Sequence, residues 1–317
     1  MTESQISPRP VAAETESAPA ARPFTTKKAF YQHFKKKSNA YELWIRFLKN
    51  DTAVAGMIIF IVIVCMALFA PLLADYNSVV IKINISGRLQ PPSWEHWLGT
   101  DELGRDILAR IIHGARISLS IGISSIGVSL LVGGALGAAA GYYGGRLDNV
   151  VMRGMDVFLC LPDVLLALAI VAAFGNTKLN LVIAIGLAFS PKIARVVRAA
   201  VMTVRDNEYV EAARSIGARD RRIISHHVLI NCMAPIIVQV TLYVANAILT
   251  ISALSFLGLG ISPPTPEWGN MLASGRTFMR DYPFIVIAPG MAIFLTILAL
   301  NLLGDGLRDT LDPRLKQ

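Results

Sequence analysis

Charge is scarce in this chain. Only 16% of its 317 residues are Asp, Glu, Lys or Arg, against about a quarter in ordinary soluble domains, and the mean hydropathy is +0.52. That deficit excludes an ordinary soluble fold. Cysteine is equally rare: Cys65, Cys160 and Cys232 lie in or beside apolar runs, at spacings that suit neither a disulfide framework nor a metal. No GxxxxGK[ST] phosphate loop occurs, so the chain is not expected to bind and hydrolyse ATP by itself. The apolar runs hold almost no ionisable side chain in their interiors, Asp163 beside Pro162 being the one carboxylate of interest. A proton- or sodium-coupled carrier usually needs buried charges at mid-depth, so the energy for any transport is expected to come from elsewhere. No Ser/His or paired-carboxylate arrangement supports a membrane enzyme. His226 and His227 are adjacent and would point in different directions on a helix, which makes a poor metal site.

What the chain has is long apolar runs. Six fall near 52–73, 117–141, 157–174, 179–201, 229–256 and 284–303. Each is near or above the roughly 20 residues that cross a bilayer, the third being the shortest. They predict an all-α polytopic membrane protein with six transmembrane helices. Pro191 is expected to kink the fourth, with Lys192, Arg195 and Arg198 marking its emergence. Gly133, Gly137 and Gly141 in the second recur every four residues, a small-residue seam that lets another helix approach closely. In the fifth, the polar residues Asn231, Gln239, Thr241 and Asn246 are expected to bond to neighbouring helices, with lining of a translocation path as the alternative.

The net charge of +8 follows topology. With the N-terminus inside, 22 of the 30 Lys and Arg fall on the inner side; the opposite orientation reverses the ratio. Both termini and the polar stretch 206–227 are therefore expected in the cytoplasm, with 74–116, 175–178 and 257–283 facing outward. No nucleic-acid partner is implied. Residues 1–26 read as a polar tail with no signal-peptide pattern. Residues 27–50 mix lysines and arginines with Phe30, Phe34, Tyr41, Trp44 and Phe47, as a helix lying on anionic membrane lipid would. The chain thus divides into a cytoplasmic segment 1–50, a first span with its outer loop at 51–116, and a five-helix core at 117–317.

Two polar stretches carry the functional signal. The first, DNEYVEAARSIGARDRRIISHH at 206–227, predicts a short helix, a left-handed cap at Gly217, and a second helix from Asp220 through Ile223 and Ile224. The second, HWLGTDELGRDILARIIHGARISL at 96–119, predicts a short helix with Thr100 as N-cap, Asp101 and Glu102 in its first turn and Gly114 as its stop.

The pattern of Glu211-Ala212-Ala213 followed by Gly217 resembles the coupling loop of ABC importer permeases. The stretch from Leu98 to Leu119, SFLGLGISPPTPEWGNML at 255–272 and NLLGDGLRDTLDP at 301–313 are similar to the C-type permease of dipeptide and oligopeptide importers, in the peptide/nickel family. That resemblance implies a homologous second permease subunit, two ABC ATPase subunits that carry ATP and magnesium, and an extracytoplasmic substrate-binding protein, in a prokaryotic plasma membrane. It implies no catalysis and no cofactor in this chain. By matching position, Glu211, Ala212, Ala213 and Gly217 would contact the ATPase or shape that contact. Arg214, Arg219, Arg221 and Arg222 would pair with acidic residues there or face headgroups and solvent. The family usually has a proline after Leu229, where this chain has Ile230, so a more regular start to the fifth span is expected. Import of nickel or another small solute by the same machine, and a stand-alone secondary carrier, are the rival readings.

Overall fold

The computed structural model describes residues 39–311; the tail, and Phe30 and Phe34 of the basic segment, lie outside the described residues. Every described element beyond the first helix belongs to one compact unit that starts at Leu43. Helix α1 (Asn39–Leu48) leads into α2 (Asp51–Leu73). Asn50 caps α2 by accepting from the Ala53 N–H at 3.2 Å. Its side-chain amide donates to Asp309 at 3.1 Å, which brings the start of α2 to the end of the last helix.

The remaining long helices are α3 (Ile107–Tyr143), α6 (Lys178–Val204), α8 (Met233–Phe256) and α10 (Phe284–Leu311). With α2 they make five helices, among the described residues, long and apolar enough to cross a membrane. A sixth crossing is a bent pair, α4 (Gly145–Leu159) and α5 (Asp163–Phe174), turned by 85°. The continuous third span expected over 157–174 is therefore broken. Pro162 has no N–H to continue the ladder and pushes Leu161 away from helical backbone. Alone, the 12 residues of α5 reach about 18 Å, too short for the hydrocarbon core. Helix α6, by contrast, runs unbroken through Pro191.

The core is the pairing of α3 with α6. A Cβ on Gly133 would lie 2.2 Å from the Ser190 carbonyl oxygen, one on Gly137 2.3 Å from that of Ala194, and one on Gly141 2.9 Å from that of Arg198. The steps of four on both helices match, so the two run parallel with backbone against backbone. Gly186 reciprocates, its missing Cβ leaving room for Val128 of α3.

Two boundaries differ from expectation. Helix α3 begins at Ile107, capped by Asp106, so the division at 116/117 falls inside a helix. Gly114 does not end it: the absent side chain makes room for the indole of Trp268, whose Cδ1 would lie 2.8 Å from an added Cβ. Thr100 is not the N-cap. Its buried hydroxyl donates to the Gly87 carbonyl at 2.6 Å and accepts from the Gln90 N–H at 2.9 Å, pinning the loop instead.

Gly137→Leu is expected to force α3 and α6 apart, with the cost of about 1–3 kcal/mol typical of overpacking, whereas Gly127→Ala, with nothing within 4 Å, should be silent. Thermal unfolding of the two variants in detergent checks the difference; equal melting temperatures would refute the seam.

Candidate functional site

The polar stretch 206–227 closes one end of the bundle. Helix α7 (Glu208–Ser215) places Glu208 and Glu211 in its first turn, where carboxylates complement the positive end of a helix. Its end is a Schellman cap: the Ala218 N–H donates to the Ala213 carbonyl at 3.1 Å and the Gly217 N–H to that of Arg214 at 3.0 Å. Gly217 sits at φ +81°, a conformation that favours glycine. Val210 and Ala213 turn inward and are buried, as are Ile223 and Val228 beyond the cap. Glu211, Ala212, Arg214 and Gly217 are exposed, and Ile216 at the tip is 86% exposed.

This elbow is tied to the core by a short polar chain. The Arg214 guanidinium lies over the Tyr142 ring, 5.7 Å from its centroid, and donates to its hydroxyl at 3.3 Å. That hydroxyl donates to Asp220 at 2.9 Å. Arg205 donates to the Gly141 carbonyl at 2.7 Å. Tyr142, Tyr143, Gly144, Gly145, Arg205, Asp206, Arg214 and Asp220 surround an open groove of about 430 Å³. Arg221 and Arg222 are exposed and form no ion pair among the described residues.

The second limb corrects the expected regular entry into the fifth span. A single turn at Asp220–Arg222 gives way to a π segment (Ile223–Val228), then to a 3₁₀ turn (Ile230–Cys232), before α8 starts at Met233. The cause is Pro235. In a helix continuing from upstream it would crowd the Asn231 carbonyl and remove a bond; in the first turn of a fresh helix its missing N–H costs nothing. Asn231, Thr241 and Asn246 bond to the carbonyls of His227, Ile237 and Leu242, in their own segment rather than in neighbouring helices.

The opposite end is closed by a buried polar knot. Asp101 accepts from the Leu103 and Arg105 N–H groups, each at 2.9 Å, and from Arg105 Nε at 2.7 Å. Arg110 reaches the Val80 carbonyl at 3.2 Å and lies 3.4 Å from Asp101. Behind it, the Trp268 indole donates to the Ile111 carbonyl at 3.0 Å. Glu267, fully buried, caps α9 (Trp268–Gly275) by accepting from the Gly269 and Asn270 N–H groups at 2.9 Å, and it takes the Ser118 hydroxyl at 3.3 Å. Burial pushes its carboxyl above the usual range, and the hydrogen bonds from Gly269, Asn270 and Ser118 oppose that only in part.

Residues 133–317 match the binding-protein-dependent transport system inner membrane component family, and residues 38–92 match the N-terminal transmembrane domain of oligopeptide transport permease C. The chain belongs to this transport family. It is 50% identical over 281 residues, 87% of this chain and 92% of the relative, to the di/tripeptide transport system permease protein DppC of Pseudomonas aeruginosa. The dipeptide transport system permease protein DppC of Alkalihalophilus pseudofirmus is 47% identical, over 84% of this chain and 88% of that one. The glutathione transport system permease protein GsiD of Pectobacterium atrosepticum is 44% identical, over 87% and 91%. Among solved structures, an inward-facing MetNI methionine ABC transporter shares the fold with a TM-score of 0.54 at 14% identity, covering 65% of this chain and 98% of its own.

The permease is thus a multi-pass inner-membrane subunit of an ABC transport system, a family that works with ATPase and substrate-binding partners. Sequence reasoning missed Tyr142, Arg205 and Ile216 at the elbow, and Glu267 at the far end. Only Glu267 carried a local signal, an acidic residue just before a Trp-Gly-Asn helix start.

Because folding raises the pKa of Glu267 above its ordinary value of 4.5, the folded permease holds this proton more tightly than the unfolded chain. Its stabilising contribution is present below 4.5 and is lost as pH rises toward the folded value. Glu267→Gln should remove that fall while keeping one cap acceptor. Melting temperatures of both proteins across this window check it; parallel curves would count against a buried, proton-retaining carboxyl.

Proposed function

We propose that the permease forms half of an ATP-driven import pathway for di- and oligopeptides, and that its elbow is where an ATPase subunit grips it. The observation that carries the reading is the exposure of α7, with Glu211 and Ala212 open to solvent and Ile216 just past its end 86% exposed, on an elbow bound to the core through Arg214, Tyr142 and Asp220. An apolar residue so exposed at the end of a rigid, charged projection suits a pocket on a partner. The peptide cargo rests on relatives whose names specify di/tripeptide and dipeptide transport.

In this reading both termini and the elbow are cytoplasmic, as the basic residues favour. A homologous second permease covers the outside of the bent pair, where α4 buries none of its own side chains although Val150 and Val157 are about 70% exposed. Two ATPases carry ATP and magnesium, and a binding protein delivers peptide to the opposite end. Nucleotide-driven closure moves the elbow; Arg205 and Tyr142 pass the movement to the end of α3, and the bundle alternates between packed states.

Cells expressing the complete importer should take up labelled dipeptide and lose that uptake on deletion of this permease. Loss of nickel uptake with dipeptide uptake intact would overturn the cargo. Gly217→Pro, which forbids the positive φ at about 1–3 kcal/mol of local strain, and Glu211→Lys should sharply reduce uptake and ATPase co-purification while the spans stay folded. Full uptake with both variants would remove the elbow's role.

A further inference from the structure

Helix α6 carries three cations at steps of three, and each meets an aspartate of the bent pair. Arg198 forms a two-pronged pair with Asp148 at 2.5 and 2.6 Å, and Arg195 reaches Asp156 at 2.5 Å. These two fasten α4 along the end of α6 nearer the elbow. The third pair, Lys192 with Asp163, is placed differently. Lys192 is the fifteenth of the 27 residues of α6, about 21 Å from its start, and so lies at the middle of that helix. Asp163 opens α5 just past the bend at Pro162.

The side chains of this pair are neither sealed in nor fully open, at 35% and 21% exposure. A partly exposed charge midway along a spanning helix is expensive against lipid, so such residues face a bundle interior or a water-filled cavity. Both also keep unused bonding capacity. Lys192 spends one of its three N–H donors on Asp163, and the second carboxylate oxygen of Asp163 accepts no hydrogen bond among the described residues. Lys192 Nζ stands 5.3 Å from the centroid of the Phe189 ring, which packs edge-on against Tyr243 of α8 at 5.9 Å. The pair thus sits where α5, α6 and α8 converge, on an aromatic floor.

We propose that Lys192 and Asp163 form a subsite for peptide in transit that serves charges of either sign, Lys192 receiving carboxylates and Asp163 receiving ammonium or guanidinium groups. The proposal rests on the peptide-import reading. A closed pair presents no net charge to an uncharged side chain. A charged one joins the pair without opening it, on the two remaining N–H donors of Lys192 or the free oxygen of Asp163, so neither member loses its counter-ion. Either sign is served by the same two residues, which suits a passage that takes varied sequences.

The test uses the intact importer and three labelled dipeptides, Gly-Glu, Gly-Lys and Gly-Ala, with uptake expressed as ratios within each variant so that partial loss of folded protein cancels. Lys192→Met should lower the Gly-Glu to Gly-Lys ratio about fivefold and Asp163→Asn should raise it about fivefold, the equivalent of ~1 kcal/mol for unit charges about 4 Å apart in a watery site. The double variant should return the ratio toward that of the wild type. Equal losses of all three dipeptides in both single variants would overturn the subsite and leave a structural clasp. Loss of second-permease co-purification with unchanged ratios would overturn it in favour of a subunit contact. Should the wild-type importer take up none of the three, the cargo reading fails and takes the subsite with it, an outcome distinct from unchanged ratios in a working importer.

Discussion

The structure depends on backbone meeting backbone between α3 and α6. In a bilayer two apolar helices gain little by leaving lipid for each other, so their association must come from close packing and polar contacts. Gly133, Gly137 and Gly141 supply that closeness, each standing where any side chain would strike a carbonyl of α6. The last glycine of the seam also accepts the Arg205 bond, and the next residue in the chain is Tyr142, the elbow's anchor. The glycine seam is therefore continuous with the attachment of the elbow.

The two ends of the molecule solve the same problem with different chemistry. Irregular backbone near a membrane must find hydrogen-bond partners within the protein. At the loop end the partners are buried carboxyl groups: Asp101 gathers two N–H groups and a guanidinium, and Glu267 caps α9 from a site with no solvent exposure. Gly99 and Gly104 hold positive φ there, and a Cβ on Gly104 would sit 1.8 Å from the Asn84 carbonyl oxygen. The run from Gly99 to Asp106 is thus a tight turn leading to an N-cap rather than a helix. At the elbow end the partners are largely exposed, and the cap relies on main-chain bonds around Gly217. One end is built to be stiff, the other to present a surface.

Those differences set how much the sequence could disclose. Five of the six crossings were legible because an apolar run of more than 20 residues has few alternatives. The glycine seam was legible because a period of four states a helix face outright. The bent pair was not, because hydropathy registers α5 and the end of α4 as one run while a single Pro162 decides their geometry. Gly114 was misread for a related reason: a glycine inside a helix looks the same whether it ends the helix or admits a distant indole, and Trp268 is 154 positions away. The elbow's cap was readable at Gly217, but its anchoring was not, since Tyr142 and Arg214 are 72 residues apart. The missing family proline suggested regularity downstream, and Pro235 imposed the break from the other side.

Helix α3 joins these pieces into one mechanical unit. Its 37 residues extend about 55 Å, well beyond a hydrocarbon core of about 30 Å. Its first turns hold the Trp268 indole bond and the Ser118 bond to Glu267; its last residues hold Arg205 and the Arg214–Tyr142–Asp220 chain. It is one continuous helix, and its seam glycines Gly133, Gly137 and Gly141 lie against α6. A displacement imposed at the elbow is therefore applied to one end of a rod whose other end is bolted to the loops. The bent pair, fastened to α6 by ion pairs, takes its shape from the break at Pro162 rather than from that rod.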